Sequence, residues 1–67
     1  MKGIYKGCQI EVNRVAEESM TFSVYDTLND YYEVICGYTD GEDTVRDYYN
    51  YMKQKVDEYR EHPENFE

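Results

Sequence analysis

The sequence has no tryptophan, one histidine, one proline, two cysteines and a single leucine, and between Val15 and Val45 it has no lysine or arginine. Each shortage excludes something. The one histidine, His62, lies beside Pro63 near the end of the chain, so no Cys–His nucleophile and no imidazole-centred acid–base pair is to be expected. Neither Cys8 nor Cys36 has a second ligand close by in sequence, and two cysteines do not make a disulfide framework. They read as reduced, buried thiols, and no metal site is expected. Gly3, Gly7, Gly37 and Gly41 are too scattered for a phosphate-cradling loop. No apolar run is long enough for a secretory leader or a membrane span, so a cytoplasmic location is expected. These absences together predict a protein that is not an enzyme and carries no cofactor.

What is present is acid and tyrosine. Fifteen aspartates and glutamates against seven lysines and arginines give a formal net charge of −8 in 67 residues, with nine tyrosines. The base-free stretch holds Glu17, Glu18, Asp26, Asp30, Glu33, Asp40, Glu42 and Asp43. Such a surface repels nucleic acid and anionic membranes and attracts basic proteins. The aromatic and β-branched content is too high for disorder. A chain this short makes one domain with a thin core, for which tyrosine supplies area because its ring can be buried while its hydroxyl stays wet.

Periodicity organises the chain into an α+β fold, a three-stranded antiparallel meander followed by one amphipathic helix (βββα). Cys8, Ile10 and Val12 alternate with polar residues in a first strand, and Ala16-Glu17-Glu18-Ser19 is a polar connection. Met20, Phe22 and Val24 mark a second strand, and Thr27-Leu28-Asn29-Asp30 a turn. Tyr32, Val34, Cys36 and Tyr38 make the inward side of a third strand, with Tyr31, Glu33 and Ile35 opposite. Thr39 or Asp40 is the expected N-cap, with Glu42 and Asp43 near the positive end of the helix dipole. Val45, Tyr48, Tyr49, Met52, Val56 and Tyr59 form the helix's apolar stripe, and Pro63 stops it. Glu42–Arg46 and Lys53–Asp57 are spaced to pair along it. The domain is expected over 1–62, with 63–67 a short tail from which Phe66 can fold back.

The candidate partner-binding residues are acids in two zones, one along the second turn and third strand and one at the helix entry, with tyrosines expected in solvent. They are Asp26, Asp30, Glu33, Asp40, Glu42, Asp43 and Asp47, with Tyr25, Tyr31 and Tyr51. Helix capping accounts for part of the second zone and leaves Asp26, Asp30 and Glu33 without local structural work. Asp40-Gly41-Glu42-Asp43 lacks the ligand spacing of a calcium loop. Tyr51 falls about 100° off the apolar stripe, which leaves it in solvent as a candidate anchor. In size and charge the chain resembles small phage-encoded inhibitors of host defence nucleases, such as anti-CRISPR proteins. That resemblance implies a basic partner, a nucleic-acid-binding protein or nuclease, whose cationic site the carboxylates would occupy in place of phosphates. The segment Gly37-Tyr38-Thr39-Asp40-Gly41-Glu42-Asp43-Thr44-Val45, which leads from a strand into a helix, is similar to the partial ribonuclease-H-like domains of HicB antitoxins over about half the chain. This second resemblance implies a regulatory or antitoxin-like domain acting through its sheet or as a homodimer, although the family's DNA-binding segment is absent from the sequence.

Overall fold

A computed structural model of the chain describes residues 1–66; Glu67, the last residue of the expected tail, lies outside them. The order is β1 (Lys2–Tyr5), β2 (Cys8–Ala16), β3 (Ser19–Asp26), β4 (Tyr32–Asp40) and α1 (Val45–Glu61), followed by a 3₁₀ turn at Pro63–Phe66. The strands form one antiparallel sheet in sequence order, and no helix among the described residues is long and apolar enough to cross a membrane. The expected α+β architecture is present, but the sheet has four strands rather than three.

The additional strand is β1. Tyr5 pairs with Cys8 across the two-residue turn Lys6-Gly7, whose φ values of 49° and 78° are both positive. That mirror-image turn matches the twist of the flanking strands. A Cβ at Gly3 would run into the Tyr49 hydroxyl of α1, so a side chain there would have to displace that ring's end. β2 then runs past Asn13 to Ala16, with a bulge at Val15, and only Glu17-Glu18 separates it from β3.

A second bulge changes which residues of β4 face inward. The β3–β4 register shifts between Val24 and Tyr25, so Val34 is an extra residue on β4. From there Ile35, Gly37 and Thr39 share a face with Val24, Phe22 and Met20, while Cys36 and Tyr38 pair with Ser23 and Thr21 on the outer face. Cys36 and Tyr38 are therefore exposed, Tyr38 at 71%, against the expectation that both point inward. Only Val34 of the expected inward set is buried. Cys8 is buried as expected, and the two thiols remain free.

The helix begins later than Thr39 or Asp40. Both residues belong to β4, where Asp40 pairs with Ser19 and accepts its hydroxyl at 2.7 Å. The N-cap is Thr44, whose Oγ1 accepts from the Asp47 amide at 3.0 Å. Glu42 consequently lies outside the helix, and Asp57 pairs with Lys6 at 2.6 Å rather than with Lys53. The end is as expected: Glu61 is the last helical residue and His62 the C-cap before Pro63. Phe66 folds back to meet the Tyr59 ring edge-on at 5.7 Å.

The helix packs chiefly on β2. The core is Cys8, Ile10, Val12, Met20, Val24 and Val34 from the sheet against Tyr49, Met52, Val56 and Tyr59 from α1. At its edge lies Asp26, the one buried charge among the described residues, which is 2% exposed. Its carboxylate accepts from Arg60 Nη1 and Nη2 at 3.0 Å each, from the Tyr59 hydroxyl at 2.8 Å and from the Leu28 amide at 3.0 Å. Arg60 also donates from Nε and Nη2 to the Lys6 carbonyl at 3.0 and 2.8 Å. One ion pair thus ties the β1–β2 turn, the end of β3 and the last turn of α1 together.

The Arg60 guanidinium holds the Asp26 carboxyl below the usual carboxylate range, with burial acting in the opposite direction. A native pKa below the unfolded one makes this contribution complete above about pH 4 and progressively lost as pH falls toward the native value. Asp26→Asn should lower the unfolding free energy at neutral pH by about 3 kcal/mol, because Arg60 is left without its anion. In urea melts the gap between wild type and variant should narrow as the pH is lowered to about 2; a gap independent of pH would contradict the assignment.

Candidate functional site

The β2–β3 turn and the β4–α1 loop meet at one end of the molecule. The Gly41 amide donates to the Glu18 carbonyl at 2.8 Å, and Arg14 donates to the Glu17 carbonyl at 2.7 Å and the Asp43 carbonyl at 2.6 Å. Arg14 therefore braces the two loops through their main chain. The loops carry Glu17, Glu18, Glu42 and Asp43, the end of β4 adds Asp40 and the first turn of α1 adds Asp47; all six are exposed. None of these carboxylates makes an ion pair among the described residues. Arg14 and Arg46 are the bases of this acidic pole.

Beside it, a groove of about 480 Å³ is lined by Thr39, Asp43, Asp47, Tyr48 and Tyr51. Its aromatic wall is a short row of rings, Phe22 to Tyr48 at 5.4 Å and Tyr48 to Tyr51 at 5.5 Å between centroids. Burial pushes the Tyr48 phenol up, so it stays neutral. The Lys55 ammonium lies 5.4 Å from the Tyr51 ring centroid and pairs with Glu58 at 3.6 Å. Electron-rich rings beside carboxylates suit a cationic side chain, which gains from both.

The sequence-predicted residues divide into separate places. Asp40, Glu42, Asp43, Asp47 and Tyr51 come together at the pole and groove, Tyr51 being 43% exposed as expected. Asp30 and Tyr31 occupy the β3–β4 turn at the other end of the sheet, both with positive φ, and Tyr31 is 60% exposed. Glu33 and Tyr25 are partners on the outer sheet face, with Tyr25 half-buried. Asp26 is enclosed in its pair with Arg60, so its charge is internal to the fold. Glu17 and Glu18 were not among the candidates. Recognising their two-residue hairpin, which sets Ser19 opposite Asp40, would have brought them to the pole.

Among the described residues no group of three or more His, Cys, Asp or Glu side chains is placed to hold a metal ion. Compared with known proteins, the chain matches no family model, no curated protein and no solved structure.

Six like charges held at one end raise the energy of the free fold, and salt screens that repulsion. The melting temperature of the isolated protein should therefore rise between about 10 and 500 mM NaCl. The rise should be smaller in the double variant Glu42→Gln, Asp43→Asn, and a melting temperature that falls with salt would count against net repulsion at the pole.

Proposed function

We propose that this protein is a small acidic protein-binding protein, an inhibitor of the nucleic-acid-mimic type, that occupies a cationic nucleic-acid-binding site on a partner. The observation that carries the reading is the acidic pole. Among the described residues its carboxylates are free of ion pairs, while Arg14, the base that reaches both loops, is directed at main-chain carbonyls. Carboxylates on a braced scaffold present negative charge at fixed spacing, which a phosphate-binding surface accepts. Tyr48 and Tyr51 add rings against which a guanidinium can stack. The partner is accordingly a basic protein such as a nucleic-acid-binding protein or nuclease, as in the anti-CRISPR type, and neither nucleic acid nor membrane is bound directly.

The second reading, a regulatory or HicB-like antitoxin domain acting through its sheet or as a homodimer, draws support from the outer sheet face, where Ile4 and Tyr38 are exposed. Opposing it, each copy carries a net charge of −8. Sedimentation showing a stable dimer at physiological salt would favour it.

Affinity purification from the native host lysate at low and high salt tests the first reading. A basic partner should be retained at low salt and released at high salt. The triple variant Asp40→Lys, Glu42→Lys, Asp43→Lys should bind that partner at least about tenfold more weakly, chiefly through slower association. Unchanged binding by the folded triple variant would overturn the role given to the pole.

A further inference from the structure

The sheet has two edges, and they differ. β1 is four residues long and is bordered by Lys2 and Lys6, the short, lysine-flanked form that discourages a further strand. β4 is nine residues long, and from Ile35 to Asp40, beyond the bulge, it is regular. The phase of its hydrogen bonds follows from its end. The Gly41 amide bonds to the Glu18 carbonyl, so the alternation of an antiparallel ladder turns Thr39, Gly37 and Ile35 toward β3. The main-chain N–H and C=O groups of Cys36, Tyr38 and Asp40 then point to the free edge, where the sheet has no neighbouring strand among the described residues.

The surface beside this edge is also open. Because α1 packs chiefly on β2, β4 projects past the helix. Gly37 is exposed and lies directly against the Phe22 ring, where a Cβ would be 3.3 Å from it. The Tyr48–Tyr51 groove adjoins the edge at Thr39. We infer that the free edge of β4 takes an extended, lysine- or arginine-containing segment of the partner by strand addition. One side of that segment lies over Phe22, Tyr48 and Tyr51, and its cations face Asp43 and Asp47. Main-chain pairing supplies the register and the groove supplies the side-chain preference. Charge selects this occupant over a second copy of the chain, which would bring another −8 to an edge already flanked by Glu33, Asp40, Asp43 and Asp47. The inference rests on the acidic-ligand reading above and names the mode by which the partner is held.

The test uses the full chain and two labelled nonapeptides of equal charge, one alternating lysine with valine and one alternating lysine with proline. The Lys–Val peptide should bind at low salt about tenfold more tightly than the Lys–Pro peptide, which lacks alternate amides. On its addition, hydrogen exchange at the Cys36, Tyr38 and Asp40 amides should slow in NMR spectra. Tyr38→Pro removes an amide that faces solvent and is compatible with an edge strand, so this variant should keep its melting transition and lose the preference, whereas Tyr38→Thr should keep both. If the two peptides bind alike and the three amides remain unprotected, strand addition is wrong while the acidic-ligand reading stands. If neither peptide binds at low salt, both fall. Protection of the same amides in a sedimenting dimer without peptide would overturn the choice of occupant.

Discussion

The Asp26–Arg60 pair is the constraint on which the arrangement of this protein depends. A domain of this size has a thin core, and the helix meets the sheet through four buried side chains, Tyr49, Met52, Val56 and Tyr59. Apolar contacts are non-directional and would tolerate some rotation of α1 over β2. A guanidinium that bonds both oxygens of Asp26 and the Lys6 carbonyl does not tolerate it. The pair also joins segments that are 34 residues apart in sequence, so it can form only when the β1–β2 hairpin, β3 and the helix end are all in place. At the other end of α1, the Thr44 cap and the Arg14 bonds to the flanking loops fix the helix start. The groove between Thr39 and Tyr51 has defined walls because both ends of the helix are held.

The same placement of cations explains why the surface is so acidic. Arg60 is committed to Asp26 and the Lys6 carbonyl, and Arg14 to carbonyls of two loops. Lys2, Lys6 and Lys55 pair with Glu11, Asp57 and Glu58, and Lys53 lies over the Tyr5 and Tyr49 rings. These bases serve the N-terminal hairpin, the loop braces and the outer turns of the helix. Only Arg14 and Arg46 stand near Glu17, Glu18, Asp40, Glu42, Asp43 and Asp47, and among the described residues neither forms an ion pair with any of them. The concentration of charge at one pole is therefore a consequence of where the fold uses its cations as much as of the number of acids.

Much of the layout was legible in the sequence: the cores of β2 and β3 and the inward stripe of α1 follow from spacing, and the helix stop follows from Pro63 itself. The failures have physical causes. β1 offers only Ile4 and Tyr5 beyond a glycine, too short a run for a period to register, and its clue is the Lys6-Gly7 turn. The Val34 bulge shifts the alternation of β4 by one residue, and no local feature of the sequence announces it. Thr39 and Asp40 are good caps locally, yet pairing with Ser19 and Met20 keeps them in the sheet and leaves the cap to Thr44. Asp26 precedes a turn-forming Thr-Leu-Asn-Asp, so it read as a surface acid; its partner is a remote arginine. Of the candidate site, the acids of the strand-to-helix junction and Tyr51 were found because they are close in sequence. Glu17 and Glu18 reach them only through strand pairing.

The open side of the sheet follows from the same limits. β2 presents Cys8, Ile10 and Val12 inward, all fully buried, and so draws the single helix onto itself. In the rows of Ile10 and Val12, β4 presents Ile35 and Gly37, with Thr39 beyond; of these only Ile35 adds apolar volume, too little to hold a second element of the chain there. A larger residue at Gly37 would be pressed against Phe22 and would also fill the space along the edge. The glycine therefore keeps the aromatic row reachable from the side to which the main-chain groups of Cys36, Tyr38 and Asp40 point, where, among the described residues, the Asp40 carbonyl accepts only the Thr39 hydroxyl at 3.5 Å. A chain stabilised by one helix and one buried ion pair thus leaves a strand edge, a row of rings and uncompensated carboxylates on adjoining surfaces. Of the segments that could lie across them, an extended cationic one satisfies all three at once, whereas an acidic one leaves the carboxylates unmet and a helical one leaves the strand edge unmet.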